Sequence, residues 1–363
     1  MKSGIKQNLL AGLTLVVPAT DAGFALADTL DPHLHFSLAA GETSGSTGSR
    51  VPGSHDPSGQ LRVQAIEPGL SLRLHEHLEG FITWHFSYAE EEAWEEELEE
   101  GFGKVMKLPG GLELRGGRML NRFGERNAKH RHAWNTIDQH LVIGRFLGPD
   151  GLKTDGAELT GYLPGTVDAA LTLSLGEVPE KRPGHGEEPS MQWVDELITA
   201  NLVMSVNRDD FHRFHFSSSF ALGDNTLADR TRIAGLGVQY LWRENGLEAG
   251  GRQLRWMSEG MVRNLSSADA ACPAAHDFGF YTELTYTTAG HVDCGLRLGF
   301  VEGVEAFALE QHVRISPYLR VPLAGYPGLQ ARLQVNLDEL KSTGDVQGIW
   351  LQLGYSFGGR EVR

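Results

Sequence analysis

The sequence lacks three features that would each point to a common class of protein. After residue 27 no apolar run approaches the ~18 residues that a membrane-spanning helix needs. Only two cysteines are present, Cys272 and Cys294, so disulfides cannot be the framework of a 363-residue chain, and we expect both thiols to be free. Basic residues are scarce, with 32 Lys and Arg against 47 Asp and Glu and a net charge of −15. Because nucleic-acid binding requires basic patches, a nucleic-acid partner is not expected.

The first residues have the order of an export signal. Lys2 and Lys6 form a positive segment, Leu9–Ala19 is an apolar run too short to cross a bilayer, and Ala25–Ala27 reads A-L-A, a small-residue cleavage site. The alternative is an N-terminal helix of a soluble domain. We expect residues 1–27 to be a cleaved signal peptide and residues 28–363 to form the mature protein.

Apolar and polar residues alternate along most of the chain, which is the pattern of β-strands. The segment 329–337 (LQARLQVNL) and the segment 349–357 (IWLQLGYSF) are clear examples. The 45 glycines, 7 tryptophans and 8 tyrosines suit strands with turns and interfacial aromatic residues. We predict sixteen strands, at 29–39, 61–75, 78–89, 94–107, 111–120, 152–163, 167–176, 194–208, 211–223, 230–243, 246–259, 277–289, 292–303, 310–321, 329–340 and 346–357.

The connections between these predicted strands alternate between short and long. Tight connections such as 163–166 and 289–291 separate long ones such as 40–60 and 121–151. Short turns on one side and long loops on the other are typical of outer-membrane barrels, which have an even number of strands. We therefore predict an all-β, transmembrane antiparallel barrel of about 16 strands without a plug domain, located in a bacterial outer membrane. A soluble sandwich or lectin-like domain is the alternative.

Several sequence blocks resemble a known family. They are Ser54–Pro57, Glu91–Asp138 and Arg145–Pro164, and the second contains the motif F-G-x-x-N-x-x-H-x-H-x-W. On these blocks the chain resembles the Gram-negative outer-membrane barrels labelled zinc-regulated or TonB-dependent outer-membrane receptor-like proteins, which are similar to phosphate-selective porins. The resemblance implies a link to zinc. A TonB-dependent transporter also has a large N-terminal plug, for which this chain has no room, so we expect a plugless, porin-like barrel.

The longest connection, 121–151, contains a candidate metal site. His130 and His132 point the same way if the segment is extended, so two imidazoles could converge on one cation. Zinc takes four ligands, or three and a water, and His140, Asp138 and the carboxylates of the glutamate-rich segment 90–100 are the candidates to complete the set. Zn²⁺ or another divalent cation is the expected cofactor. The alternative is that these histidines brace a long loop folded over or into the lumen.

A glutamate-rich segment indicates an acidic mouth, since rings of carboxylates select for cations. The alternatives are divalent-bridged contact with lipopolysaccharide and a solvated hairpin. The candidate residues are Glu90, Glu91, Glu92, Glu95, Glu96 and Glu97.

The alternation also places a set of basic side chains on the lumen side of the strands. Arginines that line a pore favour anions; the alternative is that they pair with lumenal acids such as Glu113 and Glu283 and brace the wall. The candidate pore-lining residues are Arg73, His85, Arg115, Arg213, His215, Arg297, Arg314, Arg320 and Arg332.

No enzyme is expected from these patterns. His212, His215 and Ser217–Ser219 lie in one predicted strand, but no G-x-S-x-G turn accompanies them. We expect a porin-like channel for small solutes or ions, linked to divalent metal uptake. The alternative is an occluded surface-binding or structural barrel. The expected partners are outer-membrane lipid and lipopolysaccharide, a small solute or metal ion, and further copies of the chain.

Overall fold

The computed structural model describes residues 30–44, 61–88, 94–148, 150–165, 167–179, 193–227, 229–268, 274–305, 309–341 and 344–358. The expected signal peptide, Glu90–Glu92 and Cys272 lie outside these ranges and stay predictions. Cys294 is an exposed free thiol. Within the described ranges, no helix is both long enough and apolar enough to span a membrane.

Sixteen antiparallel strands form one closed barrel, as predicted. Each strand pairs with its neighbours in sequence, and the last strand closes the sheet on the first, with Phe36 opposite Tyr355. The strands are β1 (Leu30–Thr43), β2 (Arg62–His75), β3 (Leu78–Tyr88), β4 (Trp94–Leu108), β5 (Leu112–Leu120), β6 (Lys153–Leu163), β7 (Asp168–Glu177), β8 (Trp193–Asn207), β9 (His212–Asn225), β10 (Arg230–Arg243), β11 (Gln253–Leu265), β12 (Ala275–Thr287), β13 (Asp293–Val301), β14 (His312–Pro322), β15 (Leu329–Leu340) and β16 (Gly344–Gly358).

The alternation in sequence becomes two faces of the barrel wall. In β16, Leu351 is 58% exposed on the outer face, whereas its neighbours Trp350 and Gln352 point inward and are buried. Inward positions of other strands carry Arg, Glu, Gln, Asn, Ser and Thr, and outward positions carry mostly Leu, Val, Ile and Phe. A closed sheet leaves no unpaired edge, and an apolar outside with a polar inside is the arrangement that suits a lipid bilayer.

The prediction is wrong for β11, which begins at Gln253 rather than at residue 246 and continues to Leu265. Gly246, Gly250 and Gly251 have φ angles of +60°, +81° and +78°. These belong to the left-handed region, which glycine adopts in turns and an extended strand does not contain. The connection 244–252 is therefore a wide turn and not the tight turn expected at 243–245.

The connections differ between the two rims. One rim carries turns such as 76–77, 109–111 and 164–167, and the other carries 44–61, 121–152 and 178–192. In outer-membrane barrels the long loops are extracellular, which predicts that the second rim faces outward. The connection 121–152, hereafter the lumenal loop, folds into the barrel and contains a 3-10 turn (Arg131–Ala133) and one helix, α1 (Leu141–Leu147). No globular plug is formed by the described residues.

The outward face gives a first prediction. A charge placed at Leu351, midway along β16, should reduce the free energy of unfolding in lipid by about 2–4 kcal/mol, because arginine at the midplane loses its hydration. Leu351→Arg is compared with Leu247→Arg in the 244–252 turn, where the side chain is 77% exposed. We expect the turn variant to lie within about 1 kcal/mol of wild type. Equal losses in urea titrations of vesicle-embedded protein would contradict the assignment of an outer lipid face.

Candidate functional site in the barrel lumen

Asn127 holds the two ends of the lumenal loop together. Its amide nitrogen donates to the carbonyl oxygens of Asn121 (2.8 Å) and Leu152 (3.0 Å), and its amide oxygen accepts from the Leu152 N–H (2.7 Å). Gly124 is the one motif position where the backbone demands glycine, since its φ is +62° and an added Cβ would lie 1.5 Å from a carboxylate oxygen of Glu259. The motif therefore encodes the entry of the chain into the lumen.

A hydrophobic core inside the barrel fixes the second half of the loop. Leu141, Val142, Ile143, Phe146 and Leu147 of α1 are all buried against inward side chains of the wall. A seven-residue helix is not stable alone, so packing must hold it in place. Burial of these five side chains contributes on the order of 10 kcal/mol before conformational entropy is subtracted. The wall and loop residues that complete this core are Phe123, Leu152, Trp193, Leu197, Ala221, Ile233, Met257, Met261, Tyr281 and Val301.

Asp138 ties the middle of the loop to β13, β14 and β15. One carboxylate oxygen accepts from Arg297 Nη2 at 2.7 Å and the other accepts from Arg314 Nη1 at 2.6 Å. Gln334 and Asn336 donate to the same carboxylate at 2.6 and 2.8 Å. Burial raises the pKa of this carboxyl, but the two arginine charges and the two amide hydrogen bonds outweigh it and hold the pKa well below its usual range. Asp138 is thus ionised, and both of its oxygens already accept hydrogen bonds from the barrel wall.

His140 is the next anchor and lies against β12. Its Nε2 is 3.2 Å from Glu283 Oε2, and its ring packs edge-on against Tyr281 with centroids 4.2 Å apart. Burial, followed by the nearby charge of Arg126, lowers the pKa of His140 to about 3. The imidazole is therefore neutral at neutral pH.

His130 and His132 meet at another part of the wall, formed by β2, β3 and β4. The expectation of an extended segment is wrong, because residues 131–133 form a 3-10 turn that starts from His130. The turn nevertheless brings the two rings together, with centroids 5.6 Å apart. His130 Nε2 lies 2.6 Å from Glu100 Oε2, and His132 Nδ1 lies 2.6 Å from Glu67 Oε2. Both histidines thus face carboxylates: Glu100 belongs to the glutamate-rich segment that the sequence offered as a source of ligands, whereas Glu67 was not singled out.

The side chains of Glu67, His85, Glu99, His130 and His132 form two overlapping groups, hereafter the His–Glu cluster. In each group, Glu67 with His130 and His132 and Glu67 with His85 and Glu99, one ligand atom per residue lies within 4.8 Å of the others. A β-bulge contributes here, because the register between β3 and β4 shifts after Thr83 and leaves Glu99 as an extra residue. Two imidazoles and a carboxylate are a donor set that zinc accepts, with water as a fourth ligand.

The structure brings together only part of the predicted metal set. His130 and His132 converge, whereas Asp138 is held by two arginines and His140 by Glu283, on strands β12 to β15. The carboxylates of the cluster come from the wall: Glu99 belongs to the glutamate-rich segment expected to supply ligands, and Glu67 was not predicted. Alternation marks Glu67 as lumen-facing but cannot tell which loop it meets, and the bulge at Glu99 has no signature in the sequence.

Most of the predicted pore-lining residues are engaged with acids. Five arginines form ion pairs: Arg73 with Glu79, Arg115 with Glu158, Arg297 with Asp138, Arg314 with Asp138 and Asp338, and Arg320 with Asp293. The rings of His85 and His215 lie 3.2 and 3.1 Å from carboxylate oxygens of Glu67 and Glu125. Arg213 donates to the Ser205 hydroxyl, and Arg332 donates to Gln352 and to the carbonyl of His132. Glu113 accepts from the Tyr162 hydroxyl and Glu283 contacts loop residues. The arginines thus have partners on the inner face, but these are not Glu113 and Glu283, the two acids that the bracing alternative named.

The described part of the predicted acidic mouth lies on β4. Glu95, Glu96 and Glu97 pair in register with Ser87, Phe86 and His85. Glu97 accepts a hydrogen bond from Lys153 Nζ at 2.8 Å. This part of the mouth is therefore partly neutralised by a lysine from the base of the lumenal loop.

The comparisons with known proteins concern the fold. No family model matches the sequence, and no curated protein sequence matches it. OprB of Pseudomonas putida has a TM-score of 0.59 at 10% identity, over 92% of this chain and 95% of that chain. An anion-selective porin from Comamonas acidovorans has 0.57 at 8% identity, over 91% and 99% of the two chains. The outer membrane protein OpdK from Pseudomonas aeruginosa has 0.57 at 10% identity, over 92% and 100%.

At these identities the likeness establishes the fold. The chain is a closed, 16-stranded antiparallel β-barrel of the outer-membrane porin type. The resemblance to zinc-regulated or TonB-dependent receptors finds no support in these comparisons and stays an expectation from the sequence.

The neutral His140 gives a prediction on pH. Its folded pKa of about 3 lies below the ordinary value of 6.5, so the unfolded state binds more protons between these values and stability falls as the pH drops through this window. From pH 7 to pH 5 the free energy of unfolding should fall by about 2 kcal/mol on account of His140. Asp138 stays ionised in both states over this range and does not contribute.

The measurement compares urea unfolding of wild type and His140→Gln in detergent micelles at pH 7 and pH 5. The glutamine amide can still donate to Glu283 but does not titrate in this range, so the variant should lose about 2 kcal/mol less than wild type between the two pH values. His77→Gln, an exposed position in a turn, is the control and should behave like wild type. The same pH loss in His140→Gln and wild type would show that the ring is not buried in neutral form.

Proposed function

We propose that the protein is an outer-membrane, porin-like channel for small solutes or ions whose lumen is narrowed by the lumenal loop and holds a divalent cation, Zn²⁺ in the first instance, at the His–Glu cluster. The observation that carries the proposal is the convergence of two histidines of the loop with Glu67 of the wall. A porin lumen needs only fixed charge to select ions. Two imidazoles beside a carboxylate indicate a specific metal site rather than charge selection alone, because these groups are ligands that transition metals prefer.

The surroundings of the cluster suit a small cation. A cavity of about 20 Å³ lies beside it and is lined by His85, Glu97 and Glu99 among others, which is room for about one water molecule or a desolvated ion. Four basic residues, Arg126, Lys129, Arg131 and Lys153, also line this cavity. Lys153 is paired with Glu97, and Arg126 and Arg131 lie over the Trp134 ring. The carboxylates and imidazoles are therefore the groups through which a cation would be held.

Metal binding would displace the protons that now form hydrogen bonds between histidine and glutamate. The contacts His130–Glu100 and His132–Glu67 are both 2.6 Å long, and each needs one shared proton. A cation bound by the neutral imidazoles and Glu67 would take the place of these protons, so binding should release protons and weaken at acidic pH. When bound, the ion supplies a fixed positive charge that joins the loop to β2.

One observation favours a second function, an occluded barrel that binds at the surface and passes no current. The apolar core between α1 and β8 to β13 fills a part of the lumen with packed side chains. Single-channel recording in planar bilayers separates the two functions. The channel proposal expects stepwise conductance from wild type without added metal, and the complete absence of steps from protein that has inserted would favour the occluded barrel.

The metal site has its own test, zinc titration of the detergent-solubilised protein by calorimetry. The double variant His130→Ala/His132→Ala should bind zinc more than about a hundredfold more weakly, because it loses two direct ligands, whereas loss of an outer-shell partner alone weakens binding 10- to 100-fold. The control His77→Ala/His291→Asn also removes two histidines but from turns at the opposite rim, and it should leave the affinity unchanged. Equal zinc affinity in wild type and the His130/His132 variant would exclude this site.

A further inference from the structure

The outer face of the barrel contains a groove that the proposed channel does not use. It has a volume of about 550 Å³ and runs across β9, β10, β11 and β12 near the rim that carries the long loops. Its lining differs from the smooth apolar surface expected of a lipid-facing wall, because apolar and polar side chains occupy two separate rows.

The lower row is apolar and concave. By register Ala234 lies between Phe220 and Val262, and Val262 is followed by Phe278. The two phenylalanines are 42% exposed each, and the small Ala234 leaves a trough between Phe220 and the bulkier side chains beyond it. A trough with aromatic walls fits a single hydrocarbon chain, which gains contact on both sides.

The upper row is polar and lies two residues further toward the rim. Arg232 pairs in register with Asn264, and Asn264 pairs with His276. Two residues of strand correspond to about 7 Å, the scale that separates the head group of a lipid from the start of its acyl chains. All three side chains can donate hydrogen bonds, as a phosphate group requires.

The charge of Arg232 is available to a ligand. Among the described residues its side chain forms no ion pair or hydrogen bond, because the nearby Asp224 pairs with Arg230 and the inward-facing Asp277 pairs with Arg263. Two acidic residues line the groove, the inward-facing Asp277 and Glu302, and Glu302 Oε2 accepts from the Phe278 N–H at 3.2 Å. Glu302 follows β13, which is three strand spacings or about 14 Å from β10. It is therefore too far from Arg232 to neutralise the positive charge at that end of the groove.

We infer that this groove binds one molecule of lipopolysaccharide from the outer leaflet, with a phosphate of its lipid A portion at Arg232 and an acyl chain in the trough between Phe220 and Val262. The inference rests on the proposed function in so far as the barrel must reside in an outer membrane. An unpaired arginine above an apolar trough matches a phosphorylated, multiply acylated lipid in both charge and shape. On a chain of net charge −15, a site with local positive charge is where an anionic lipid would bind specifically.

The test measures lipid binding to the detergent-solubilised protein by native mass spectrometry, with bis-phosphorylated lipid A as the probe. Wild type should retain one lipid A, and Arg232→Ala should weaken its binding about tenfold, the value of one charge-assisted hydrogen bond. Dephosphorylated lipid A should bind wild type and Arg232→Ala equally. Ala234→Phe, which fills the trough without changing charge, should also weaken binding.

The matched control is Arg208→Ala, which removes an exposed arginine from a turn at the opposite rim and should leave lipid A binding unchanged. Unchanged binding in Arg232→Ala would overturn the inference, and so would phosphatidylglycerol binding as tightly as lipid A, since the groove would then be a general anionic-lipid site. A change from oligomer to monomer in Ala234→Phe would show that the groove is a contact between copies instead. Protein that stays monodisperse without detergent would overturn the proposed function itself, a result distinct from these.

Discussion

Closure of the sheet is the constraint on which the rest of the structure depends. A strand that faces hydrocarbon has no water to satisfy its backbone N–H and C=O groups, so every such group must pair within the sheet. The pairing of β1 with β16 removes the last two free edges. Once the ring is closed, alternate side chains must point to the outside and to the lumen, and the polarity of each position follows from the face it occupies.

The lumenal loop is placed by the chemistry of the inner face. A polar lumen offers side-chain partners to any segment that folds inward. This loop contacts several strands: Asp138 pairs with arginines of β13 and β14, His140 contacts Glu283 of β12, and His130 contacts Glu100 of β4. The apolar side of α1 is accommodated because inward positions of β8 to β13 there carry Trp, Leu, Met, Tyr and Val. Removal of one partner from a buried ion pair costs about 3–5 kcal/mol, so the loop position is strongly specified.

The same anchors divide the candidate site into two parts with different roles. Asp138 and His140 hold the loop: the charges of Arg297 and Arg314 keep the first an anion in spite of its burial, and burial keeps the second a neutral ring. His130 and His132 instead meet carboxylates beside a small cavity. This difference is why the proposed cation site lies at the His–Glu cluster rather than at Asp138 and His140.

The sequence by itself determined the strand count, the antiparallel barrel and which side chains face the lumen, because a period of two is a local property that each strand carries in its own residues. It also marked His130 and His132, and the motif around them, as unusual. It misplaced β11, where glycines at positive φ inside an alternating pattern look like strand residues. Only the tertiary structure decided that the loop enters the lumen, that Glu67 and one glutamate of the acidic segment, Glu99, rather than Asp138 and His140, join the histidines, and that Arg232 stands unpaired above a trough. These facts depend on which distant strands become neighbours when the sheet closes and on which side chains of the far wall the loop then meets, and local periodicity carries no information about either.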